Sequence, residues 1–154
     1  MTVNKQYFTM IQVRNALEKI ADRMAEDKWE PDVIMGINRG GCIPGIYLSH
    51  RLNKPHEALD VRLRDHKAKP DLRNLEKAYA FQKKILIIDD INDTGTTLKG
   101  IHDIVVMEGM TDNVKYVTLF EKMSSDFSVQ ICAKELDEEE EKQWIVFPYE
   151  EWWK

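Results

Sequence analysis

The 154-residue sequence predicts an α/β domain built on a mainly parallel, twisted sheet flanked by helices. Short apolar, largely β-branched runs occur at Val33–Ile37, 85–88 and 114–120, and each is short enough to be a strand. The run at 85–88 has no polar alternation, as a parallel strand covered on both faces requires. Segments with apolar residues at helical spacing separate these runs, so strand and helix alternate along the chain.

In chain order, Thr9 followed by Gln12 forms a capping-box pattern. Val13, Leu17, Ile20, Ala21 and Met24 then line one face of a helix over about residues 9–26. Val33–Ile37 is the first buried strand, Asn38 to Gly41 a turn, and Ile43, Ile46, Tyr47 and Leu52 mark a second helix. A strand is expected at about 58–63. Residues 64–74 are charged and lack an apolar period, which predicts a long loop carrying Arg64, Lys67, Lys69 and Arg73. After the strand at 85–88, Leu98, Ile101, Ile104 and Val105 give a helix with Gly109 as its C-terminal stop. The acidic run 135–141 reads as a solvated loop.

Composition narrows the function. Hydrophobic residues make up 43% and charged residues 32% of the chain, as in a soluble globular domain, and the length predicts a single one. A net charge of -5 argues against broad binding to nucleic acid or an anionic membrane. No apolar run approaches the roughly 18 residues of a membrane span, and the N-terminus lacks the apolar core of a signal peptide, so a cytoplasmic protein is expected. Cys42 and Cys132 form no CxxC and read as small buried apolar residues, and the four histidines show no zinc spacing.

The chemistry concentrates in ILIIDDINDTGTTL. Asp89 and Asp90 follow a buried parallel strand, where α/β sheets place their ligand crevice. Adjacent carboxylates repel, and the pair calls for partners such as hydroxyls, Mg²⁺ or other cations; the 2′- and 3′-hydroxyls of a ribose are suitable donors. Asp93, Thr94, Gly95, Thr96 and Thr97 then open a helix, whose free N–H groups and dipole favour a phosphate. Neither a Walker A ending nor GxGxxG is present. A phospho-acceptor domain would carry its aspartates on its first strand, whereas two strands and two helices precede these.

Apolar strand, two acidic residues and D-T-G-x-T together resemble the ribose-phosphate signature of type I phosphoribosyltransferases, closest to the short xanthine-guanine and hypoxanthine enzymes. The resemblance implies that family's fold, with a hood at about 64–80 and a base-binding tail at about 122–154. It implies 5-phosphoribosyl 1-pyrophosphate and a 6-oxopurine as substrates, Mg²⁺ held at Asp89 and Asp90, and a homo-oligomer, dimer or tetramer. It places pyrophosphate at Asn38, Arg39, Gly40 and Gly41, with a cis peptide at Asn38–Arg39, and it puts a hood contact at Arg73. Lys122 would read the purine O6, Trp144 would stack on the base, and the Ile145 backbone would read its edge. Glu150 stands where those enzymes carry an aspartate facing the 2-substituent. Asp93 is the candidate to accept or hold a purine proton. A regulatory module that keeps the ribose-phosphate site without catalysis, and an enzyme using adenine or a pyrimidine, are the alternatives.

Overall fold

The structure, a computed structural model, describes residues 2–61 and 70–154. Its main sheet has five strands in the order β3-β2-β4-β5-β6, all paired in parallel. These are β2 (Val33–Ile37), β3 (His56–Leu59), β4 (Ile85–Asn92), β5 (Val114–Lys122) and β6 (Ile131–Leu136). A second, two-stranded parallel sheet joins β1 (Lys5–Tyr7) to β7 (Trp144–Val146). The helices are α1 (Met10–Glu26), α2 (Cys42–Leu52), α3 (Arg73–Ala80), α4 (Thr96–Met107) and the short α5 (Glu138–Glu141). No described helix is long and apolar enough to cross a membrane.

The inner strands β2 and β4 send alternate side chains to opposite faces, and both faces are covered. On one face Ile34, Leu86, Ile88, Val117 and Leu119 pack against Val13, Leu17, Ile20 and Met24 of α1. On the other, Val33, Met35, Ile37, Ile85 and Ile87 meet Leu75 of α3 and Leu98, Ile101 and Val105 of α4. Each such side chain contributes about 1.5–3 kcal/mol of burial. These contacts fix the level at which the strands end and thereby the level of the site.

The sequence reading of α1 holds: Thr9 accepts from Gln12 N–H, and the Gln12 side chain accepts from Thr9 N–H. Gly109 ends α4 at a φ of 69°, with Met110 N–H on Val105 O and Gly109 N–H on Val106 O.

Other expectations need correction. The helix after Gly41 forms, but Pro44, Gly45, Leu48 and Ser49 are its buried residues, while Ile46 and Tyr47 are exposed. A small face is required because α2 lies close on the sheet: a Cβ on Gly45 would stand 2.7 Å from His56 Nε2. The strand expected at 58–63 begins earlier, at His56, where pairing with Ile34 and Met35 recruits two polar residues to the sheet edge. Arg62, Leu63, Arg64, Lys67 and Lys69 lie outside the described residues. Within the span assigned to the hood, 73–80 form α3, held by the buried Leu75.

The acidic stretch is more structured than a solvated loop. Glu135 lies in β6, Asp137 caps α5 through a capping box with Glu140, and Glu141 accepts from Ser124 N–H and Oγ. Carboxylates are favoured at a helix N-terminus, which is where this run lies. Both cysteines are free and half-buried rather than core residues.

Candidate active site

The strand order turns back at the centre of the sheet. From β2 the chain goes first to β3 on one side and then to β4 on the other. The carboxyl ends of β2 and β4 therefore flank the switch point where such sheets bind ligands. The Asn38–Gly41 turn leaves one of these strands, and the Asp89 to Thr97 segment occupies the end of the other.

At the β2 end the Asn38–Arg39 peptide is cis, as the resemblance implied. Asn38 N–H donates to Leu59 O at 2.8 Å, and Gly41 N–H to Ile37 O at 2.8 Å. Glycines are required here by proximity. A Cβ on Gly40 would stand 2.4 Å from Asp90 Oδ2, and one on Gly41 would stand 2.2 Å from Ile88 O. The turn is thus seated directly on the aspartate strand, with Asn38 and Arg39 exposed toward solvent.

Strand β4 runs through the acidic pair to Asn92, four residues beyond its expected end at Ile88, and Ile91 and Asn92 pair with Phe120 and Glu121. The buried Asn92 amide donates to Glu121 Oε1 and to Phe127 O, which holds this extension in place. Asp89 Oδ1 accepts from Asp90 N–H at 2.9 Å. Asp90 is 8% exposed; its Oδ1 accepts from Ile91 N–H at 2.8 Å, and its Oδ2 from the Tyr149 hydroxyl at 3.3 Å. Burial, followed by the Glu150 charge, pushes the Asp90 carboxyl up to about 6, although its hydrogen bonds oppose that shift. Two carboxylates at a crevice are hard oxygen donors, a set that fits Mg²⁺ shared with substrate and water oxygens.

The loop after β4 turns at Gly95, whose φ of 88° suits glycine. A Cβ there would also stand 2.7 Å from Phe127 N and from Ser125 Oγ. Asp126 N–H donates to Thr94 O, so residues 125–127 form a wall behind the loop. Thr94 Oγ1 and Thr96 Oγ1 lie 2.9 Å apart, and Thr96 N–H reaches Thr94 Oγ1 at 3.3 Å. Gly95, the residue that precedes α4, has no side chain with which to cap it, and only Thr96 N–H is met, by the Thr94 hydroxyl, among the described side chains. The first-turn N–H groups of α4, together with Thr96 and Thr97, form a cradle suited to an anion. Asp93 forms an ion pair with Lys122 at the end of β5.

The tail is anchored by β7 against β1, with Trp144 registered against Lys5. Ile145 is buried, and the Trp144 side chain is 55% exposed. Phe147 is buried and stacks on Tyr149 at 5.5 Å with an interplanar angle of 4°. The Glu150 carboxylate accepts from Phe147 N–H at 2.7 Å and so is engaged with its own turn. Arg73 stands at the start of α3 rather than in a loop, and it grips Asp71 at 2.7 and 2.9 Å. That pair lines a cavity of about 410 Å³ with Ala58, Asp60, Asn74 and Lys77.

The structure thus brings Gly40 to Asp90 and Lys122 to Asp93, while Arg73 is engaged with Asp71. Sequence reasoning missed Tyr149 and the wall at 125–127. Tyr149 had a signal in its aromatic-rich WIVFPYE setting; the wall had none, because it is defined by contact with a glycine more than 25 residues earlier in the chain.

Comparison with known proteins agrees with this geometry. The phosphoribosyl transferase domain family matches residues 4–152. Among solved structures, the purine phosphoribosyltransferase from Pyrococcus horikoshii Ot3 is 32% identical at a TM-score of 0.72, over 96% of this chain and 95% of that one. A Helicobacter pylori xanthine-guanine-hypoxanthine phosphoribosyltransferase shares the fold at 18% identity and a TM-score of 0.67, over 96% and 94% of the two chains. A Neisseria gonorrhoeae protein with bound ppGpp shares it at 16% identity and a TM-score of 0.68, over 97% and 91%. The family match across nearly the whole chain, and a strand order that sets both glycine turns at the switch point, lead to one conclusion: this chain belongs to the phosphoribosyltransferase family and is a transferase enzyme with the type I fold.

Proposed function

We propose that this enzyme transfers the 5-phosphoribosyl group of 5-phosphoribosyl 1-pyrophosphate to a 6-oxopurine, giving the nucleoside monophosphate and pyrophosphate. The purine class draws on the Pyrococcus relative, a purine phosphoribosyltransferase. The narrower choice of a 6-oxopurine rests on one observation: Lys122, an ammonium donor at the end of β5, is paired with Asp93 at the mouth of the phosphate loop. In this reading the ammonium donates to O6, and the carboxylate beside it accepts a proton from a ring nitrogen.

In this reading the 5′-phosphate occupies the Thr94 to Thr97 cradle, and Asp89 and Asp90 accept from the ribose hydroxyls. The Asn38–Gly41 turn holds pyrophosphate through backbone N–H groups and the Arg39 fork, with Arg73 as a further candidate contact. Mg²⁺, held through Asp89 and Asp90, would supply positive charge to the departing pyrophosphate oxygens. The bond from ribose C1 to the pyrophosphate oxygen breaks and its electron pair leaves with pyrophosphate. The purine nitrogen forms the new bond to C1, and Asp93 takes the proton that this nitrogen loses. Trp144 stacks on the base, the Ile145 backbone reads its edge, and Glu150 faces the 2-substituent if its bond to Phe147 N–H gives way. Positioning and electrostatics supply most of the acceleration. The same reading carries a homo-oligomer, dimer or tetramer, acting in the cytoplasm.

The test is to incubate the protein with 5-phosphoribosyl 1-pyrophosphate, Mg²⁺ and each nucleobase separately, and to assay for the mononucleotide. Product is expected with at least one of hypoxanthine, guanine and xanthine. Asp93→Asn should lower turnover by about a hundredfold or more while still binding the sugar phosphate. No product with any base, alongside tight sugar-phosphate binding, would favour a regulatory module. Full turnover by Asp93→Asn would remove Asp93 as the proton acceptor.

A further inference from the structure

We infer that Tyr149 is a positioning residue for the Asp90 carboxylate, and that through its hydroxyl the C-terminal tail governs capture of 5-phosphoribosyl 1-pyrophosphate. The inference rests on the proposed transfer reaction, in which Asp90 meets the ribose. Tyr149 itself touches no reacting atom in that scheme.

Asp90 is held from three directions. The Gly40 backbone is packed so closely on the carboxylate that a Cβ would stand 2.4 Å from Oδ2. Ile91 N–H fixes Oδ1 at 2.8 Å. The Tyr149 hydroxyl donates to Oδ2 at 3.3 Å, from a residue 59 positions away. A carboxylate held at one oxygen still swings about its last torsion, which is a broad one. A second donor on the other oxygen restricts that swing and sets which lone pairs face the crevice.

The tyrosine is itself firmly placed. Its ring lies parallel to that of Phe147, which is 2% exposed and packs with Phe8 and Phe120. The hydroxyl therefore projects from an aromatic stack rooted in the α1 core. Through it, the segment proposed to hold the base also orients the group proposed to hold the ribose.

The test is Tyr149→Phe, which keeps the ring stack and removes only the donor. Loss of one hydrogen bond to a charged group predicts about a tenfold rise in KM for 5-phosphoribosyl 1-pyrophosphate, with kcat and the base KM within about twofold of wild type. Calorimetric titration of 5-phosphoribosyl 1-pyrophosphate into each protein without base should show the same tenfold weakening. An unchanged affinity for it would overturn the inference. So would a parallel rise in both KM values with a falling Tm, because that pattern belongs to general loosening of the tail. If wild type forms no mononucleotide, the transfer reading fails, yet calorimetry still compares the two affinities.

Discussion

The two halves of the site are constructed differently. The turns after β2 and β4 are local: each is a short run whose glycines let backbone meet backbone, and each takes its level from a strand buried on both faces. The tail is assembled from far along the chain. Lys5 pairs with Trp144 in the small sheet, and Lys5 Nζ bonds Glu151 across 146 positions. The phosphate side is thus determined mainly by which residues fit a turn, and the base side by how well two chain ends dock. Damage should follow the same division, with failure of folding on the first side and failure of base recognition on the second, except at Tyr149, whose hydroxyl crosses from the tail to Asp90.

Gly41→Ala is the strongest way to break this contrast. Its φ of -80° is open to any residue, so the cost is purely one of contact. The added carbon would stand 2.2 Å from Ile88 O and 2.8 Å from Ile37 N, both in central strands. Neither atom yields without parting β2 from β4, and a loss of about 3 kcal/mol is expected by urea denaturation. A loss below about 0.5 kcal/mol, the size of an ordinary surface change, would show that the turn is not tightly seated.

Trp144→Ala should act on the other side and more gently. The side chain is 55% exposed, so stability should change little. Stacking on a base is worth about 1–3 kcal/mol, which predicts a rise of roughly ten- to hundredfold in the base KM. The KM for 5-phosphoribosyl 1-pyrophosphate should be retained, and steady-state kinetics with each substrate varied in turn separate the two. Equal effects on both substrates would mean that the halves are not independent in this way.

The same division explains what the sequence made legible. The three inner strands, the α1 capping box and the Asp89 to Thr97 segment depend on neighbours in sequence, so their letters sufficed. Strands β1, β6 and β7 escaped notice because two are only three residues long, and β6 carries the charged Lys134 and Glu135 next to each other, which breaks its apolar pattern. A short strand exists through its partner, and pairing is not written in either segment alone. Helix α3 was hidden in a charged stretch where Leu75 is the one buried residue. The Asp93–Lys122 pair and the Tyr149–Asp90 bond join residues that are remote in sequence. The expected place of Arg73 in a loop gave way to Asp71, a salt-bridge partner two residues before it.

The smallest expected effect comes from titrating the tail's outer tie. Hydrogen bonds from Lys154, and then Lys5, hold the Glu151 carboxyl down at about 2, below its ordinary 4.5. A depressed carboxyl binds fewer protons in the folded chain than in the unfolded one. Its stabilisation is therefore present above pH 4.5 and is lost as pH falls from there through about 2. Asp90 has the opposite sign. Its carboxyl is raised to about 6, so its ionisation opposes folding as pH rises from 3.8 through 6. Between pH 6 and 4.5, acidification should thus relieve the crevice while leaving the tail tied; below 4.5 the tail begins to loosen. Comparing Tm for wild type and Glu151→Gln across this range isolates the tail. The gap should be small at pH 7, because surface ion pairs contribute little, and it should shrink with added salt. It should close as pH falls below 4.5 toward 2. A gap that stayed constant with pH would mean that packing of β1 on β7, and not this charge, secures the tail.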